Sequence, residues 1–385
     1  MKIKKLNRTK QLFAFGMIGM MLIPLLCPVQ ASASKTSLSL SGKWVVIMDV
    51  DSGKVLYSKN AKKKCHNAST TKLITAIVAV ENNKSLEKKI RISHYVSASN
   101  SGGATAVRIG MRTGDKYYLK DLLHAMLLKS ANDTAVAIAE RTSGSVSTFM
   151  KEVNKKVKQI GCENTHFATP NGLRSGNPHY TTAYDLALIT RYAYNNDEIR
   201  NIMKKRTYSF HSTGGRRHSV SSTNKMLRSK NYYSVGKTGY GWTAGYCYTG
   251  VYTYEGHSYV IVTLGNSSEG GRWSDARKMS AVCKKNAKAC QKELALNKTS
   301  VELTAGEITK LKVKKTKGKV KWTSTNKAVA AVNDDGKVTG KKKGKTVITA
   351  KIYGKTLRCR VKVTEVPEPE IKEPETEQSD NEIIE

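Results

Sequence analysis

Strand-forming runs stand at both ends of a stretch of about 250 residues, and helix-forming runs lie between them. One sheet must therefore be assembled from segments far apart in the chain. At the front, Val45-Val46-Ile47-Met48 reads as a strand, Asp51-Ser52-Gly53-Lys54 as a turn and Val55-Leu56-Tyr57 as the returning strand. Strand patterns return at residues 234–237, 245–252 and 259–264, and a closing helix is expected over 274–294. Between them, residues 73–80 are apolar nearly all round, as suits a helix buried at the centre of a domain. Leu119, Leu122, Leu123, Met126 and Leu127 keep the spacing of an amphipathic helix. A further helix starts at Thr181-Thr182, with Asp185 as cap partner. The fold class is mixed α/β (α+β).

The ends differ from this centre. Residues 1–33 read as a cleavable signal peptide: five basic residues up to Lys10, an apolar run from Leu12 to Leu26, and Ala31-Ser32-Ala33 as the cleavage site. That run is shorter than the ~20 residues a spanning helix needs. Residues 34–42 form a short connecting segment. From Leu296 the pattern alternates apolar with polar, as half-exposed strands do, in Leu311-Lys-Val313, Val320-Lys-Trp322 and Leu357-Arg-Cys359-Arg-Val361-Lys-Val363, with hairpin turns at Asp335-Gly336 and Gly354-Lys355. Residues 296–364 thus form a small all-β module. Residues 365–385, with nine acids against Lys372 and three prolines, read as an acidic disordered tail.

The net charge of +36 points to an anionic partner, and export removes nucleic acid from consideration. The charge is uneven. The tail carries −8 and the β-module +15, from 19 Lys and Arg against four acids. This excess is expected to hold an exported protein against anionic wall polymers or a membrane surface. Six cysteines remain after signal cleavage; they allow 15 pairings, none selected by sequence, and most read as buried small hydrophobes. The eight histidines show no metal-ligand spacing, so no metal or cofactor is expected.

Three short motifs fall in order within residues 43–294. Ser69-Thr70-Thr71-Lys72 opens the all-apolar helix, Ser130-Ala131-Asn132 ends the amphipathic one, and Lys237-Thr238-Gly239 lies on a late strand. Ser69 and Lys72 are one helical turn apart, so both side chains project from one face. A lysine whose pKa is lowered by burial and positive neighbours can take a serine's proton. A helix N-terminus at Ser69 favours a developing oxyanion. Ser130 offers a second hydroxyl to relay a proton, Lys237 and Thr238 can hold a carboxylate, and Gly239 lets substrate backbone approach. Each motif alone is weak, but their joint order is a recognised set for penicillin-binding enzymes.

On these residues the chain resembles the low-molecular-mass penicillin-binding D-alanyl-D-alanine carboxypeptidases, the S11 serine peptidases. Met48-Asp49-Val50-Asp51-Ser52-Gly53-Lys54-Val55-Leu56-Tyr57 is similar to that family's opening hairpin. Asn164-Thr165-His166-Phe167, Asn171-Gly172-Leu173 and Thr181-Thr182-Ala183-Tyr184-Asp185-Leu186-Ala187 are similar to its middle signature. The resemblance implies a penicilloyl-serine transferase fold, an antiparallel sheet flanked by helices. It implies removal of the terminal D-Ala from peptidoglycan stem pentapeptides through an acyl-serine, with β-lactams as covalent inhibitors. By the same resemblance Ser69 is the nucleophile, Lys72 its base and Ser130 the proton shuttle. Asn132 contacts substrate backbone, Lys237 and Thr238 bind the carboxylate, the N–H groups of Ser69 and Tyr240 form the oxyanion hole, and Arg272 is a further carboxylate contact.

The sequence departs from that family after Gly239, where Tyr240-Gly241-Trp242-Thr243 inserts residues before the usual Thr and could reshape the cleft rim. The family's second β-domain and amphipathic membrane helix are not recognisable. In their place Trp322-Thr323-Ser324, Ala330-Ala331-Val332, Gly336-Lys337-Val338-Thr339-Gly340 and Gly344 resemble a bacterial Ig-like module of the BIG2 type, a small sandwich. Three other readings compete with this one. A class A-like β-lactamase needs a Glu to activate deacylating water, yet Asp185 is the only acid between Asn164 and Asn196. A non-catalytic wall-binding protein on this scaffold conflicts with the full set of polar side chains, and a zinc peptidase lacks ligand spacing.

Overall fold

The computed structural model describes residues 38–98, 107–173, 177–229 and 231–366. The segment expected to be a signal peptide, residues 1–33, and all of the expected acidic tail beyond Val366 lie outside the described residues.

Five strands build the main sheet: β1 (Trp44–Asp49), β2 (Val55–Lys59), β3 (Ser234–Gly241), β4 (Gly245–Tyr254) and β5 (His257–Asn266). Their order is β2-β1-β5-β4-β3, every pair antiparallel, so strands from the two ends of the domain meet where β1 pairs β5. The unbroken apolar run in β1 has a physical reason. Val46 and Met48 face one apolar core and Val45 and Ile47 another, so the sheet is covered on both sides. The first core packs α1 (Lys72–Glu81), α2 (Leu119–His124), α3 (Asn132–Ser143), α4 (Val146–Gln159) and α5 (Ala183–Asn195); the second packs α6 (Glu269–Glu293). Ser41 and Gly42, in the connecting segment, donate their N–H groups to Asp275 of α6.

Four expectations need correction. Residues 119–127 are not amphipathic, since Leu119 and residues 121–128 are all buried; the helix widens into a π-type turn over Ala125–Lys129. The closing helix starts at Glu269, capped by Ser268 Oγ on the Gly271 N–H at 3.0 Å. Thr182 caps α5 through the Asp185 N–H, but the Asp185 carboxylate turns instead to the Asn164 N–H and the Thr165 hydroxyl. In the β-module Leu311 lies outside any strand, in the core. All six described cysteines are free thiols, five of them buried.

The module contains β6 (Ser300–Thr304), β7 (Ile308–Lys310), β8 (Lys321–Ser324), β9 (Ala330–Val332), β10 (Lys337–Gly340), β11 (Gly344–Ile352) and β12 (Lys355–Thr364). A four-stranded sheet ordered β6-β12-β11-β8 packs on the three-stranded β7-β10-β9 over Leu303, Trp322, Ile348, Cys359 and Val361. Tyr353, in its β11–β12 turn, stacks on His257 at 4.0 Å and donates its hydroxyl to Asp51. Lys355 Nζ donates to the Gln291 and Leu294 carbonyls at 2.7 and 2.9 Å, closing off the C-terminus of α6.

Candidate active site

Ser69 sits in a tight turn, Ala68–Thr71, that runs directly into α1. Asn67 shapes this turn by donating to the Thr70 and Thr71 hydroxyls at 2.9 and 3.0 Å, and Ala68 adopts φ +46°. A left-handed non-glycine residue is strained and persists only where its surroundings over-determine it. The turn leaves Ser69 half-buried at the N-terminal, positive end of α1, with Lys72 buried beneath it.

Lys72 Nζ has three neighbours: Ser69 Oγ at 2.8 Å, Asn132 Oδ1 at 2.7 Å and the Asn171 carbonyl at 2.7 Å. None is a carboxylate. Burial, and then the nearby positive charge of Lys237, hold its pKa well below the usual lysine value; Asp133 acts in the opposite sense. The three contacts also fix its orientation. A neutral amine has two N–H groups and one lone pair. The two carbonyl-type oxygens can only accept, so the lone pair is left for the Ser69 hydroxyl.

Ser130 closes the π-type turn at φ +69°, a second strained non-glycine residue, and its Oγ accepts from Lys237 Nζ at 2.8 Å. Lys237 also donates to the Thr238 carbonyl at 2.9 Å. It is buried on β3, the edge strand of the main sheet. Burial, with a smaller contribution from the Arg272 charge, brings its pKa down to about 7. Thr238 shares a 2.6 Å hydroxyl contact with Thr223. Tyr240 is exposed and packs on Tyr246, ring centroids 4.4 Å apart.

Ser69, Ser130, Asn132, Thr238, Tyr240 and Arg272 line one cleft of about 680 Å³, with Lys72 and Lys237 beneath it. The cleft is suited to moving a proton from Ser69 to Lys72 and to meeting an anionic group beside Lys237 and Thr238. Gly239 and Arg272 also have structural partners. A Cβ on Gly239 would lie 2.8 Å from the Asn67 carbonyl oxygen, so this glycine is required where β3 presses against the serine turn. Arg272 lies inside the first turn of α6 and is buried. Its guanidinium bonds the Gly239 and Cys247 carbonyls at 3.2 and 3.4 Å and Glu269 at 3.3 Å, tying β3 and β4 to α6 at the cleft.

Sequence reasoning missed three contributors. The Asn171 carbonyl on Lys72 is a main-chain group with no side-chain signature; the trace is Gly172, where a Cβ would lie 2.0 Å from the Ala68 carbonyl oxygen. Asn67 orders the serine turn. Asp133 accepts from the Ile109 and Gly110 N–H groups at 3.0 and 3.1 Å, tying down the segment beside Val107 at the cleft. Of the residues after Gly239, Tyr240 and Gly241 complete β3 and residues 242–244 form the β3–β4 turn, which leaves Trp242 almost wholly exposed at the cleft rim.

Comparison with known proteins places this geometry. The sequence profile of the D-alanyl-D-alanine carboxypeptidases, peptidase family S11, matches residues 30–268, and that of the bacterial Ig-like domain (group 2) matches residues 292–358. The D-alanyl-D-alanine carboxypeptidase DacF of Bacillus subtilis (strain 168) is 30% identical over 278 residues, covering 70% of each chain. The D-alanyl-D-alanine carboxypeptidase of Streptomyces sp. (strain K15) is 30% identical over 287 residues, 70% of this chain and 94% of that one. The crystal structure of the Streptomyces K15 DD-transpeptidase superposes with a TM-score of 0.59 at 28% identity, over 64% of this chain and 98% of that one. The chain therefore belongs to the D-alanyl-D-alanine carboxypeptidase family of serine peptidases, S11, and carries a bacterial Ig-like domain after its peptidase domain.

Proposed function

We propose that this protein is a serine D-alanyl-D-alanine carboxypeptidase that trims the terminal D-Ala from peptidoglycan stem pentapeptides. The observation that carries this reading is the three-partner setting of Lys72, which leaves a neutral amine lone pair only the Ser69 hydroxyl to face. Ser69 Oγ attacks the carbonyl of the penultimate D-Ala as its proton passes to Lys72. The oxyanion forms against the Ser69 and Tyr240 N–H groups at the positive end of α1. The C–N bond then breaks as Ser130 relays the proton taken up by Lys72 to the leaving amine, which returns Lys72 to its neutral form, and water hydrolyses the acyl-serine. Lys237 and Thr238 hold the terminal carboxylate, and Asn132 contacts the substrate backbone while bonding Lys72. Arg272 acts through Gly239 and Lys237 as a positioning residue. β-Lactams enter by the same attack and leave a penicilloyl group on Ser69.

In this reading the peptidase domain spans residues 43–294 and the Ig-like domain 296–364. The protein is exported by its amino-terminal segment, and its positive charge holds it at the anionic cell surface. The test is covalent labelling. Fluorescent penicillin should attach to the protein at one site, and Ser69→Ala should abolish the label without loss of fold. A label that survives Ser69→Ala would show that another residue is the nucleophile.

A further inference from the structure

The outer face of the β6-β12-β11-β8 sheet carries a concentration of charge that the peptidase reaction does not use. Alternate residues of a strand share one face, so Arg358, Arg360 and Lys362 on β12 project together, successive members roughly 6.6–6.8 Å apart. All three are exposed, while the residues between them, Cys359 and Val361, lie in the sandwich core. The register places Lys345 on β11 opposite Lys362, and Lys351 opposite Lys321 on β8. These six cations are exposed on one face.

Like charges directly opposite one another weaken a sheet. A surface shaped by stability alone would alternate signs, yet two cross-strand positions pair Lys with Lys. Among the described residues Glu302, on β6, is the acid at a register position of this face, and it pairs with Lys362. Thr323 and Thr349 lie opposite each other between the cations, their hydroxyls 2.5 Å apart. At one end the face is hollowed into a concavity of about 610 Å³ whose polar wall holds Lys345, Arg360, Lys362 and Thr325 together with Glu302, so three cations face one carboxylate there.

We infer that this face is a binding surface for a linear, base-free polyol-phosphate polymer, which would lie along β12. A row of cations at regular spacing matches a repeating monoanion, and arginine can meet phosphate oxygens with two donors. The face has no aromatic side chain at its register positions, so bases would have nothing to stack on. It also has no large exposed apolar side chain to enter a bilayer. This inference is independent of the peptidase chemistry.

The test uses the purified full chain and immobilised synthetic poly(glycerol phosphate) in 50–300 mM salt. The triple substitution Arg358→Gln, Arg360→Gln, Lys362→Gln should weaken binding at least tenfold at 100 mM salt and flatten its dependence on log salt by about two to three, by the counterion-release rule for polyanions. A control with the same loss of charge, Lys151→Gln, Lys155→Gln, Lys158→Gln on the exposed face of α4, should change binding twofold or less. Both variants should retain fluorescent-penicillin labelling, which keeps folding and peptidase chemistry separate from the readout. Equal weakening by the control would overturn the inference in favour of net charge alone. Tighter binding at equal phosphate to phosphatidylglycerol vesicles or to single-stranded DNA would overturn the choice of polymer.

Discussion

Replacing Lys237 by Met should make the peptidase domain more stable while it removes the carboxylate site. Lys237 is fully buried, and its pKa is brought from 10.5 down to about 7. At about 1.4 kcal/mol per pKa unit, that depression costs the fold on the order of 5 kcal/mol wherever both folded and unfolded lysine are protonated. The sign follows from proton binding. Between about pH 7 and 10.5 the unfolded chain holds a proton that the native chain lacks, so stability rises with pH through that window. Below about pH 7 the penalty is present in full.

Met occupies a similar volume without charge, but it gives up the bonds to Ser130 Oγ and the Thr238 carbonyl, about 1 kcal/mol each. The net gain at pH 6 is then about 3 kcal/mol, which for a domain of this size raises Tm by roughly 6–12 °C. At pH 9 the remaining penalty is about 2 kcal/mol, so the gain should vanish. Scanning calorimetry of the full chain at both pH values measures this, and labelled penicillin checks that the acylation rate falls. A variant less stable at pH 6, or one equally stabilised at pH 6 and 9, would refute the reasoning.

Acylation by penicillin should rise with pH along a limb well below pH 10.5, because only neutral Lys72 can take the Ser69 proton and its pKa is lowered first by burial and then by Lys237. Stopped-flow rates with Lys237→Gln should show that limb moved to higher pH, and an unmoved limb would remove Lys237 from the control of Lys72. Asn132→Ala deprives Lys72 of one orienting acceptor, and the acylation rate should fall on the order of 10²-fold with little change in Tm. Gly239→Ala sets a Cβ 2.8 Å from the Asn67 carbonyl oxygen, which is backbone and cannot swing away. Thermal unfolding should record a loss of about 1–3 kcal/mol, together with slower acylation as β3 moves off the serine turn.

Much of the fold is legible in the sequence because its strands are punctuated by turn residues and its central helix is apolar all round. Thr182 is legible as a cap because its hydroxyl works locally. Other features depend on partners far away in the chain. The start of α6 is hidden behind Gly270-Gly271, and its early turns hold because Asp275 receives Ser41, Gly42 and Thr263. The burial of Leu119 and residues 121–128 reflects packing against elements distant in the chain, which periodicity within one segment cannot reveal. In the candidate site, the motif residues are visible as side chains in order, whereas the Asn171 carbonyl and the left-handed backbone of Ala68 and Ser130 leave almost no trace in residue type.

The most direct measurement is mass spectrometry of a synthetic stem pentapeptide ending in D-Ala-D-Ala after incubation with the purified protein. Loss of a single alanine, absent with Ser69→Ala and blocked by prior treatment with penicillin, is the expected result. An intact pentapeptide at enzyme concentrations that fully label with penicillin, or alanine release that persists in Ser69→Ala, would contradict the proposed reaction.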